Sequence, residues 1–420
     1  MEKIHVSNEI GSLLRVIIHR PDSGISRISP KRAEELLFDD IVHLPSMQAE
    51  HDIFTAVLRS FVGEKHVYET GNLILEALNA DKEKKEVTIE SILDYEELPP
   101  TWKEKLISLP NEQLAKLLIT GYDEVEDFIY FDPIPNFIFT RDIAVTINDH
   151  VIVTKAAKMA RARENLLTRF IFWAHPLFQD AHQKGRVINL NKIEDFPPSR
   201  KGETVSIEGG DMMVISKDYL LVGCSERTNQ HAIESLKRAL FEKNVIDNIV
   251  QVNIPSERSF MHIDTLFTMI NTNHVAAFKP IIMDGLGSNV IVHKKDGSKP
   301  EYPSVEAFFK ECIHPDMEFI PVGNGESPYQ EREQWTDGCN LVALKPGVAL
   351  TYDRNPKTEI AFRRFGYQLI HAEEYLGKVR SGEINPAELE NTIINLPSNE
   401  LSRARGGSHC MTCPVQRADI

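Results

Sequence analysis

One pattern, a pair of β-rich runs joined by turn residues, recurs along the chain and restricts the folds open to it. The pattern occurs in "FTRDIAVTINDHVIVTK" (139–155), "EGGDMMVISKDYLLVGC" (208–224), "HIDTLFTMINTNHVAAF" (262–278) and "DGCNLVALKPGVALTYD" (337–353). The turn residues are Asn148-Asp149, Lys217-Asp218, Asn271–Asn273 and Pro346-Gly347. Runs of β-formers on both sides of such residues predict a β-hairpin each time.

Helical patterns follow two of these hairpins, in "AKMARARENLLTRFIFWAHP" and "SERTNQHAIESLKRALFEK", where apolar residues recur three and four positions apart. With the N-terminal "LLRVIIHRP" as a candidate fifth member, the repeats predict an internally repeated α/β protein. An aspartate (Asp142, Asp211 or Asp264) stands at the start of the first strand in three copies. If the repeats close into a ring, these residues converge on one central site; ordinary, unrelated α/β hairpins are the alternative.

Residues 72–128 differ in character from the hairpin repeats. This segment is charged and rich in leucine, with helical spacing in "NEQLAKLLITGY" and a break at Pro99-Pro100, since proline cannot continue a helix. No hairpin turn is predicted within it. We interpret it as a helical insertion between the first repeat and the second, within a single domain that spans residues 1–420.

The charge of the chain restricts its partners. The formal net charge is −15, whereas nucleic acids and anionic membranes bind basic surfaces. The charge is compatible with a small cationic substrate, and equally with plain solubility. No apolar run approaches the ~20 residues that span a bilayer, and the N-terminus lacks the pattern of a signal peptide. We therefore predict a cytoplasmic protein that binds neither nucleic acid nor membrane.

The C-terminal stretch "GGSHCMTCP" contains Cys410 and Cys413 in a C-x-x-C spacing, directly after His409. A structural zinc site needs four ligands at paired spacings, and the chain has no second pair. A redox dithiol is expected early in a βαβ unit rather than next to the C-terminus. A single nucleophilic thiol is the remaining interpretation, and a metal or redox site stays a weaker alternative.

Polar residues gather at the starts of the hairpins, in "PNFIFTRD", "EGGD", "SERT", "HID" and "GGSHC". A thiol, one candidate base and several carboxylates suit nucleophilic attack on a planar cation, because carboxylates match a guanidinium bidentately. Each signal is weak alone. The histidine of "MHIDTLF" could be a core residue, "EGGD" a tight turn, "SERT" a helix N-cap and "FTRD" an ion pair.

Taken together, the motifs from "IGSLLRVIIHRP", "LLFDDI" and "EHDIF" through "PNFIFTRD", "ARARE", "EGGD", "SERT" and "HIDT" to "EQWTDGCN", "YDRN" and "RGGSHCMTCP" resemble those of the arginine deiminases. These belong to the guanidine-modifying enzymes of pentein fold. The resemblance implies an α/β-propeller of five pseudo-symmetric ββαβ-like units, with a helical insertion after the first unit. It also implies the hydrolysis of free L-arginine to L-citrulline and ammonia through a covalent amidino-thioether, without metal or organic cofactor.

The resemblance also assigns roles to residues. Cys410 corresponds to the nucleophile and His262 to the general acid and base, while Glu208, Asp264 and Asp142 correspond to the carboxylates that bind the guanidinium. The expected substrate-binding residues are Arg161 and Arg227, for the α-carboxylate, with Asn136, Phe139 and the loop residue Arg405. Cys413 is interpreted as packing and His409 as only a neighbour of the nucleophile.

One departure from the family pattern is Ala404, where a glycine is common. If the loop needs a positive φ there, alanine is strained. The glycines before Cys410 are interpreted as a loop hinge.

Related alternatives are an agmatine deiminase or an amidinotransferase, and a different class is a catalytically silent arginine-binding protein. The pair Arg161 and Arg227 favours a substrate with a free carboxylate. A homo-oligomer is compatible with the sequence, which does not determine the oligomeric state.

Overall fold

Strands and helices alternate along most of the chain in the computed structural model, which describes residues 4–420. The strands are β1 (Leu13–Ile18), β2 (Val67–Glu69), β3 (Tyr122–Asp123), β4 (Phe128–Ile129), β5 (Ala144–Ile147), β6 (His150–Val153), β7 (Val187–Asn189), β8 (Met212–Ser216), β9 (Tyr219–Cys224), β10 (Asn248–Asn253), β11 (Phe267–Asn271), β12 (His274–Ala277), β13 (Asn289–Lys294), β14 (Glu301–Tyr302), β15 (Glu318–Pro321), β16 (Val342–Lys345), β17 (Val348–Tyr352), β18 (Gln368–His371), β19 (Thr392–Leu396) and β20 (Cys413–Arg417).

The helices are α1 (Leu44–Val62), α2 (Thr70–Ala80), α3 (Lys82–Tyr95), α4 (Trp102–Ser108), α5 (Asn111–Thr120), α6 (Ala162–Ala174), α7 (Gln179–Gln183), α8 (Gln230–Glu242), α9 (Lys279–Ile282), α10 (Val305–Cys312), α11 (Tyr329–Trp335), α12 (Pro356–Arg364) and α13 (Ala372–Ser381). Within residues 4–420, no helix has the length and apolar character needed to cross a bilayer.

Four sheets are built on the predicted hairpins. The antiparallel pairs β5–β6, β8–β9, β11–β12 and β16–β17 all form, with their turns at the predicted positions. The second strand of each hairpin then pairs in parallel with a later strand: β7, β10, β15 or β19. A parallel partner requires a crossover connection, and helices such as α6 and α8 supply it. The mixed α/β class predicted from the sequence is confirmed.

The fifth sheet joins the two ends of the chain. β1 pairs antiparallel with the C-terminal strand β20 and parallel with β2, which repeats the topology of the other four sheets. The segment "LLRVIIHRP" is therefore the fifth repeated element, but its hairpin partner is more than 390 residues away rather than across a local turn. Sequence pattern alone could not supply that pairing, because no turn connects the two strands.

Helices α2–α5 lie between β2 and β5, and the Pro99-Pro100 break falls between α3 and α4 as predicted. The expectation that this segment has no hairpin is wrong, since β3 and β4 pair antiparallel. Asp123 Oδ1 accepts a hydrogen bond from the Val125 amide (2.9 Å), and Asp127 adopts a φ of +52°. An Asx-type turn of this kind has little sequence signal within a charged segment.

One cluster of buried apolar side chains packs the inserted helices against α6. Leu73, Ile89 and Leu117, from α2, α3 and α5, share one buried cluster with Phe170 of α6. Helix α8 begins at an N-cap, because Asn229 Oδ1 accepts from the Ala232 amide at 2.8 Å. The sheets and helices therefore form a packed support for the short turns that precede the first strand of each hairpin. Those turns carry the polar residues predicted from the sequence.

Candidate active site

Short 3₁₀ turns bring the predicted residues to one place. They span Pro135–Ile138, Gly209–Asp211, Ile263–Thr265 and Leu401–Ala404. Side chains on and beside these turns line a cavity of about 30 Å³. Of the ten predicted site residues, nine line this cavity: Asn136, Phe139, Asp142, Arg161, Glu208, Arg227, His262, Arg405 and Cys410. The tenth, Asp264, lies directly behind it, with Oδ2 3.4 Å from Cys410 Sγ.

Cys410 is buried at the base of this cavity, with 5% of its surface exposed. Its Sγ lies 3.4 Å from Asp264 Oδ2 and 3.1 Å from Asn340 Nδ2. Burial raises the pKa of this thiol well above its usual range, and the charges of Asp264, Asp142 and Asp337 raise it further. A thiolate is populated only in an electropositive environment, so the site favours the thiolate when a cation is present between these carboxylates.

His262 lies between two carboxylates. Its Nε2 is 2.9 Å from Glu208 Oε2, and its Nδ1 is 3.7 Å from Asp142 Oδ1. Burial opposes a charge on this ring, but Asp142 together with Glu208 and Asp211 outweighs burial and raises the pKa of His262 to about 10. The imidazole is therefore protonated at neutral pH and able to donate a proton.

The glycines of "EGGD" allow this close packing. A Cβ on Gly210 would lie 2.6 Å from His262 Nδ1 and 3.1 Å from Asp142 Oδ1, and a Cβ on Gly209 would lie 1.9 Å from the Arg141 carbonyl oxygen. The Gly210 amide also donates to Asp142 Oδ1 at 3.0 Å. The motif is thus both a tight turn and a device that brings the histidine and two acids together, because no other residue leaves enough space.

The two carboxylate oxygens of Asp264 have different surroundings. Its Oδ2 accepts from His409 Nδ1 (2.9 Å) and faces Cys410 Sγ, whereas its Oδ1 has no hydrogen-bond partner among residues 4–420. Burial opposes the charge on Asp264, but the His409 hydrogen bond lowers its pKa. The interpretation of His409 as only a neighbour of Cys410 is therefore wrong, since this histidine holds the carboxylate beside the thiol. On its other side, His409 Nε2 lies 3.4 Å from Glu9 Oε2.

Arg161 is enclosed by carboxylates. Its Nη1 donates to Asp142 Oδ2 (2.6 Å) and to Glu208 Oε2 (3.3 Å), and its Nε donates to Glu164 Oε2 (2.9 Å). Although burial disfavours its charge, Glu164, Asp142 and Glu208 raise the pKa of Arg161 well above its usual range. The carboxylates thus bind a guanidinium in this structure, and that guanidinium belongs to the protein. Its predicted contact with a substrate carboxylate stays a prediction and requires Arg161 to exchange these partners.

Arg227 lies on the opposite side of Glu208. Its Nη1 is 3.6 Å from Glu208 Oε1, and its Nε, which makes no hydrogen bond within the described part of the chain, lies 3.7 Å from Glu226 Oε1. The turn that carries it is held by Ser225 Oγ, which accepts from the Arg227 amide at 3.0 Å and donates to Asp211 Oδ2 at 2.6 Å. A buried guanidinium with an unused N–H at the cavity wall can accept an anionic group of a ligand.

Loops close the remaining sides of the cavity. Asn136 Nδ2 donates to the Leu36 carbonyl oxygen (2.7 Å), and the Phe139 ring packs against Gly406, where a Cβ would lie 2.3 Å from Phe139 Cε1. Arg405 stacks on Trp335, with its Cζ 3.2 Å from the ring centroid. The loop arginine therefore lies at the cavity, held by an aromatic face.

The loop before Cys410 differs from expectation in two respects. The positive φ falls on Arg405 (φ +66°, ψ +57°), whereas Ala404 is helical in the turn Leu401–Ala404. Strain at Ala404 is therefore not present. Gly406 and Gly407 have no positive φ, and close packing accounts for Gly407, where a Cβ would lie 2.6 Å from the Asn340 carbonyl oxygen; their role as a loop hinge stays a prediction.

Three buried side chains could by geometry hold a metal ion. Asp142, Glu208 and His262 offer ligand atoms that lie within 4.8 Å of one another. Arg161 Nη1 already bonds one oxygen of each carboxylate, and His262 Nε2 lies on Glu208 Oε2. Arg161 is therefore the cation that these carboxylates bind in this structure, and their hydrogen bonds suit a planar N–H donor.

A wider cavity of about 670 Å³ lies next to the first and shares Leu37, Arg227 and Arg258 with it. Asp39 joins the loops at this boundary, because it accepts from Arg258 Nε at 3.0 Å and lies 3.8 Å from Arg405 Nε. The outer cavity offers a route by which a small molecule reaches Cys410.

Sequence reasoning missed three residues that the structure places beside the site: His409, Glu9 and Asn340. Asn340 had a usable signal, since it stands at the start of the fourth hairpin, where the other copies carry an aspartate. His409 had one too, being adjacent to Cys410. Glu9 had none, because its position beside His409 depends on the pairing of the two chain ends.

Comparison with solved structures shows the fold. A cysteine-to-serine variant of DDAH from Pseudomonas aeruginosa, complexed with citrulline, superposes with a TM-score of 0.50 at 13% identity, covering 96% of this chain and 99% of that one. SxtG, an amidinotransferase from Microseira wollei, superposes with a TM-score of 0.51 at 14% identity, covering 99% and 98%. The chain therefore shares the pentein fold of these amidino-group enzymes.

Comparison of sequences is more specific. The arginine deiminase of Limosilactobacillus fermentum is 34% identical over 443 residues, covering 99% of each chain, and that of Bacillus cytotoxicus is 34% identical over 446 residues, with the same coverage. The sequence model described as arginine deiminase matches residues 34–125 and 105–417. Because this model matches most of the chain and these relatives are similar to it over nearly their full length, the chain belongs to the arginine deiminase family of enzymes.

Proposed function

We propose that the chain hydrolyses free L-arginine to L-citrulline and ammonia through a covalent amidino-thioether on Cys410. The observation that carries this proposal is the cavity itself: a buried thiol, 3.4 Å from Asp264 Oδ2, faces carboxylates that bind a guanidinium, and a protonated His262 lies beside them. The reaction balances with arginine and water alone.

The acids orient the substrate. Asp142 and Glu208 take one edge of the guanidinium, in the way they now hold the guanidinium of Arg161, and the unpartnered Asp264 Oδ1 takes another. The bound cation offsets the carboxylate charges that raise the pKa of Cys410, so substrate binding favours the thiolate. Binding thereby positions the carbon for attack and activates the nucleophile at once.

The Cys410 thiol releases its proton to solvent as the substrate binds. In the first half of the reaction, the resulting thiolate sulfur forms a bond to the guanidinium carbon while the π electrons of that carbon shift onto nitrogen, giving a neutral tetrahedral adduct. His262 then transfers its proton to an amino group of the adduct. The carbon–nitrogen bond breaks, ammonia leaves, and an amidino-thioether cation remains on Cys410 with His262 neutral. Asp142 and Asp264 stabilise the positive charge on either side of this step.

In the second half, neutral His262 takes a proton from water as the water oxygen bonds to the amidino carbon. The new adduct collapses, the carbon–sulfur bond breaks, and the Cys410 thiolate is restored. The remaining hydroxyl proton is released from citrulline and ends on ammonia as ammonium. His262 serves as acid and base in turn, which its two carboxylate contacts support by holding the ring in place.

At the other end of the substrate, Arg227 and Arg161 are proposed to bind the α-carboxylate. The Arg227 Nε, which makes no hydrogen bond among residues 4–420, supports its assignment. Arg161 exchanges Asp142 and Glu208 for the substrate when the substrate's guanidinium replaces its own. This exchange favours an amino acid over agmatine, because agmatine offers no carboxylate to compensate Arg161 for the partners it gives up.

The architecture proposed with this function is a single catalytic domain over residues 1–420, in which 72–128 is a helical insertion. Its five sheets form a ring, an α/β-propeller of five ββαβ-like units around the cavity. The shared topology of the five sheets and the pairing of β1 with β20 support a closed ring. So does the position of the site residues, which come from the starts of different units.

The test is incubation of the purified chain with L-arginine, agmatine and methylated arginines, assayed for ammonia and ureido product. Release of both from L-arginine, and little from agmatine, is expected. Transfer of the amidino group to an added amine, with no ammonia, would instead support an amidinotransferase. Arginine binding without any product would support a silent binding protein.

Cys410→Ser is the decisive variant. It should reduce turnover by about 10⁴-fold or more while arginine still binds, since an alcohol in this site is a far weaker nucleophile. Cys413→Ala is the matched control: Cys413 is buried in an apolar cluster, with its Sγ 3.2 Å from the Ala144 carbonyl oxygen. A Cys410→Ser enzyme with normal turnover would overturn the proposed mechanism.

A further inference from the structure

Asn340 makes three hydrogen bonds around the predicted nucleophile with one side chain. Its Nδ2 donates to Cys410 Sγ at 3.1 Å and to the Asp264 carbonyl oxygen at 3.1 Å. Its Oδ1 accepts from the Cys410 backbone amide at 3.1 Å. The residue is 1% exposed, so these contacts are made without competition from solvent. One amide therefore fixes the Cys410 backbone, its sulfur and the backbone of the neighbouring acid.

The chemical environment of the sulfur makes this contact informative. Asp264, Asp142 and Asp337 all place negative charge near Sγ, whereas the Asn340 amide donates a hydrogen bond to it. A neutral donor stabilises developing charge on sulfur without adding a fixed cation. A lysine or arginine in that place would compete with a guanidinium for the same carboxylates.

The surrounding backbone is built to hold this amide. Ser408 Oγ lies within hydrogen-bond distance of the Asn340 carbonyl oxygen (3.3 Å) and of the Val342 amide (3.2 Å). Gly407 leaves no space for a Cβ, which would meet Asn340 Oδ1 at 2.7 Å. The backbone N–H of Asn340 donates to the Asp337 carbonyl oxygen at 3.0 Å, and Asp337 adopts a φ of +62° to close that turn. Each feature fixes the orientation of the Asn340 side chain.

We infer that Asn340 is a positioning residue for the reaction, which orients Cys410 Sγ toward the substrate carbon and stabilises its thiolate through the Nδ2–H donor. The inference rests on the proposed role of Cys410 as the nucleophile. It predicts a loss in the chemical step rather than in arginine binding, because Asn340 lies behind Cys410 and does not itself line the cavity in which arginine is expected.

The experiment compares Asn340→Ala, Asn340→Asp and Asn340→Ser with the unchanged chain. Steady-state kinetics with L-arginine are measured alongside the pH profile of Cys410 alkylation by iodoacetamide, read by mass spectrometry. Asn340→Ala should reduce kcat by about 10²-fold with KM changed less than about threefold, as for loss of one donor to developing charge. The alkylation midpoint should move to higher pH, and further for Asn340→Asp, which replaces the donor with a carboxylate oxygen.

Asn340→Ser keeps an O–H that can donate to sulfur, so it should recover part of the lost kcat and decides the matter if the other two variants fail to fold. Asn148→Asp is the matched control. Its amide also joins separate segments, donating to the carbonyl oxygens of Lys217 (3.0 Å) and Val245 (2.7 Å), far along the chain from Cys410. It should leave the alkylation profile and kcat unchanged.

The outcomes separate this inference from the proposed function. A folded Asn340→Ala with kcat and alkylation midpoint equal to those of the unchanged chain would overturn the inference alone, provided that Cys410→Ser is inactive. If Cys410→Ser keeps full turnover, the proposed function fails first. Equal losses of melting temperature in all three variants, with the alkylation midpoint unmoved, would show a purely structural Asn340 and would also overturn the inference.

Discussion

Two buried histidines, His19 and His262, are held in nearly the same way in different parts of the molecule. His19 lies 2.8 Å from Asp22 Oδ2 and 2.9 Å from Glu69 Oε1, much as His262 lies between Glu208 and Asp142. Burial opposes the charge on both rings, yet the carboxylates raise the pKa of each to about 10. A clamped, protonated histidine is therefore not by itself a sign of catalysis.

A third histidine shows that the carboxylates, not burial, decide the charge. His51 is fully buried near His19 but makes no ion pair with any residue from 4 to 420, and burial, followed by the charge of His19, lowers its pKa to about 3. Desolvation alone thus keeps an imidazole neutral, and two adjacent acids are enough to reverse it.

The carboxylate pairs around His19 and around His262, the two clamps, differ in which nearby polar groups lack a hydrogen-bond partner. Around His19 the acids are used by the backbone: Glu69 Oε2 accepts from the Gly71 amide and caps α2, and Asp22 Oδ1 accepts from the Gly24 amide at 2.6 Å. Both clusters face a cavity, of about 620 Å³ beside His19 and about 30 Å³ beside His262, but only the second is lined by a thiol and backed by an Asp264 oxygen without a partner among residues 4–420. Unused polar groups and a nucleophile, rather than the charge cluster, mark the site for chemistry.

The largest expected effect separates the two histidines directly. His262→Asn should reduce kcat by about 10³-fold or more, since it removes the proposed acid and base, whereas His19→Asn should leave kcat within about threefold. Both variants are assayed for ammonia release from arginine, with folding checked by circular dichroism. A His19→Asn enzyme as inactive as His262→Asn would remove the functional distinction between the clamps.

The second prediction concerns the pH dependence of stability, which follows from the raised pKa that His19 and His262 share. The folded pKa of His19, about 10, lies above its ordinary value of 6.5. Its contribution to the free energy of unfolding is therefore fully present below pH 6.5 and is lost as the pH rises through about 10. His262 contributes with the same sign over the same range.

We expect the melting temperature of the unchanged chain to fall between neutral and alkaline pH, and the fall to be smaller in His19→Asn. The energy involved is on the order of a few kcal/mol. Differential scanning calorimetry at both pH values measures it, and the difference between the variants removes the contribution of other titrating groups. An equal fall in both proteins would contradict a protonated His19.

The smallest expected effect concerns the loop beside the active clamp. Because Ala404 is helical and buried, Ala404→Gly relieves no strain; it removes a packed methyl group and adds backbone freedom. Stability should fall by about 1 kcal/mol, with kcat/KM within about threefold of the unchanged chain. Thermal melts and arginine kinetics check this. A tenfold rise in kcat/KM would restore the strain hypothesis.

The sequence predicted which residues form the candidate site better than it predicted how they are arranged. Turn residues and β-rich runs located the four local hairpins, motifs at their starts named seven of the ten site residues, and the family resemblance added Arg161, Phe139 and Arg405. The β3–β4 hairpin was missed, because a charged turn held by Asp123 has almost no pattern. The contacts of Arg161 with Asp142, Glu208 and Glu164 were also missed, since spacing along the chain does not show which acid an arginine faces.

The sequence by itself therefore determined the repeated α/β pattern, the family, and the residue types available for chemistry, because these depend on local spacing and on motif order. Only the tertiary structure decided that β1 pairs with β20, that His409 supports Asp264 while His262 lies on Glu208, and that Asn340 contacts Cys410 Sγ. The physical reason is that hydrogen bonds and pKa shifts act over a few ångströms, and the fold brings residues that are far apart in sequence within that range. The sequence motifs contain both His262 and His409, and the fold determines that His262 contacts Glu208 and that His409 contacts Asp264.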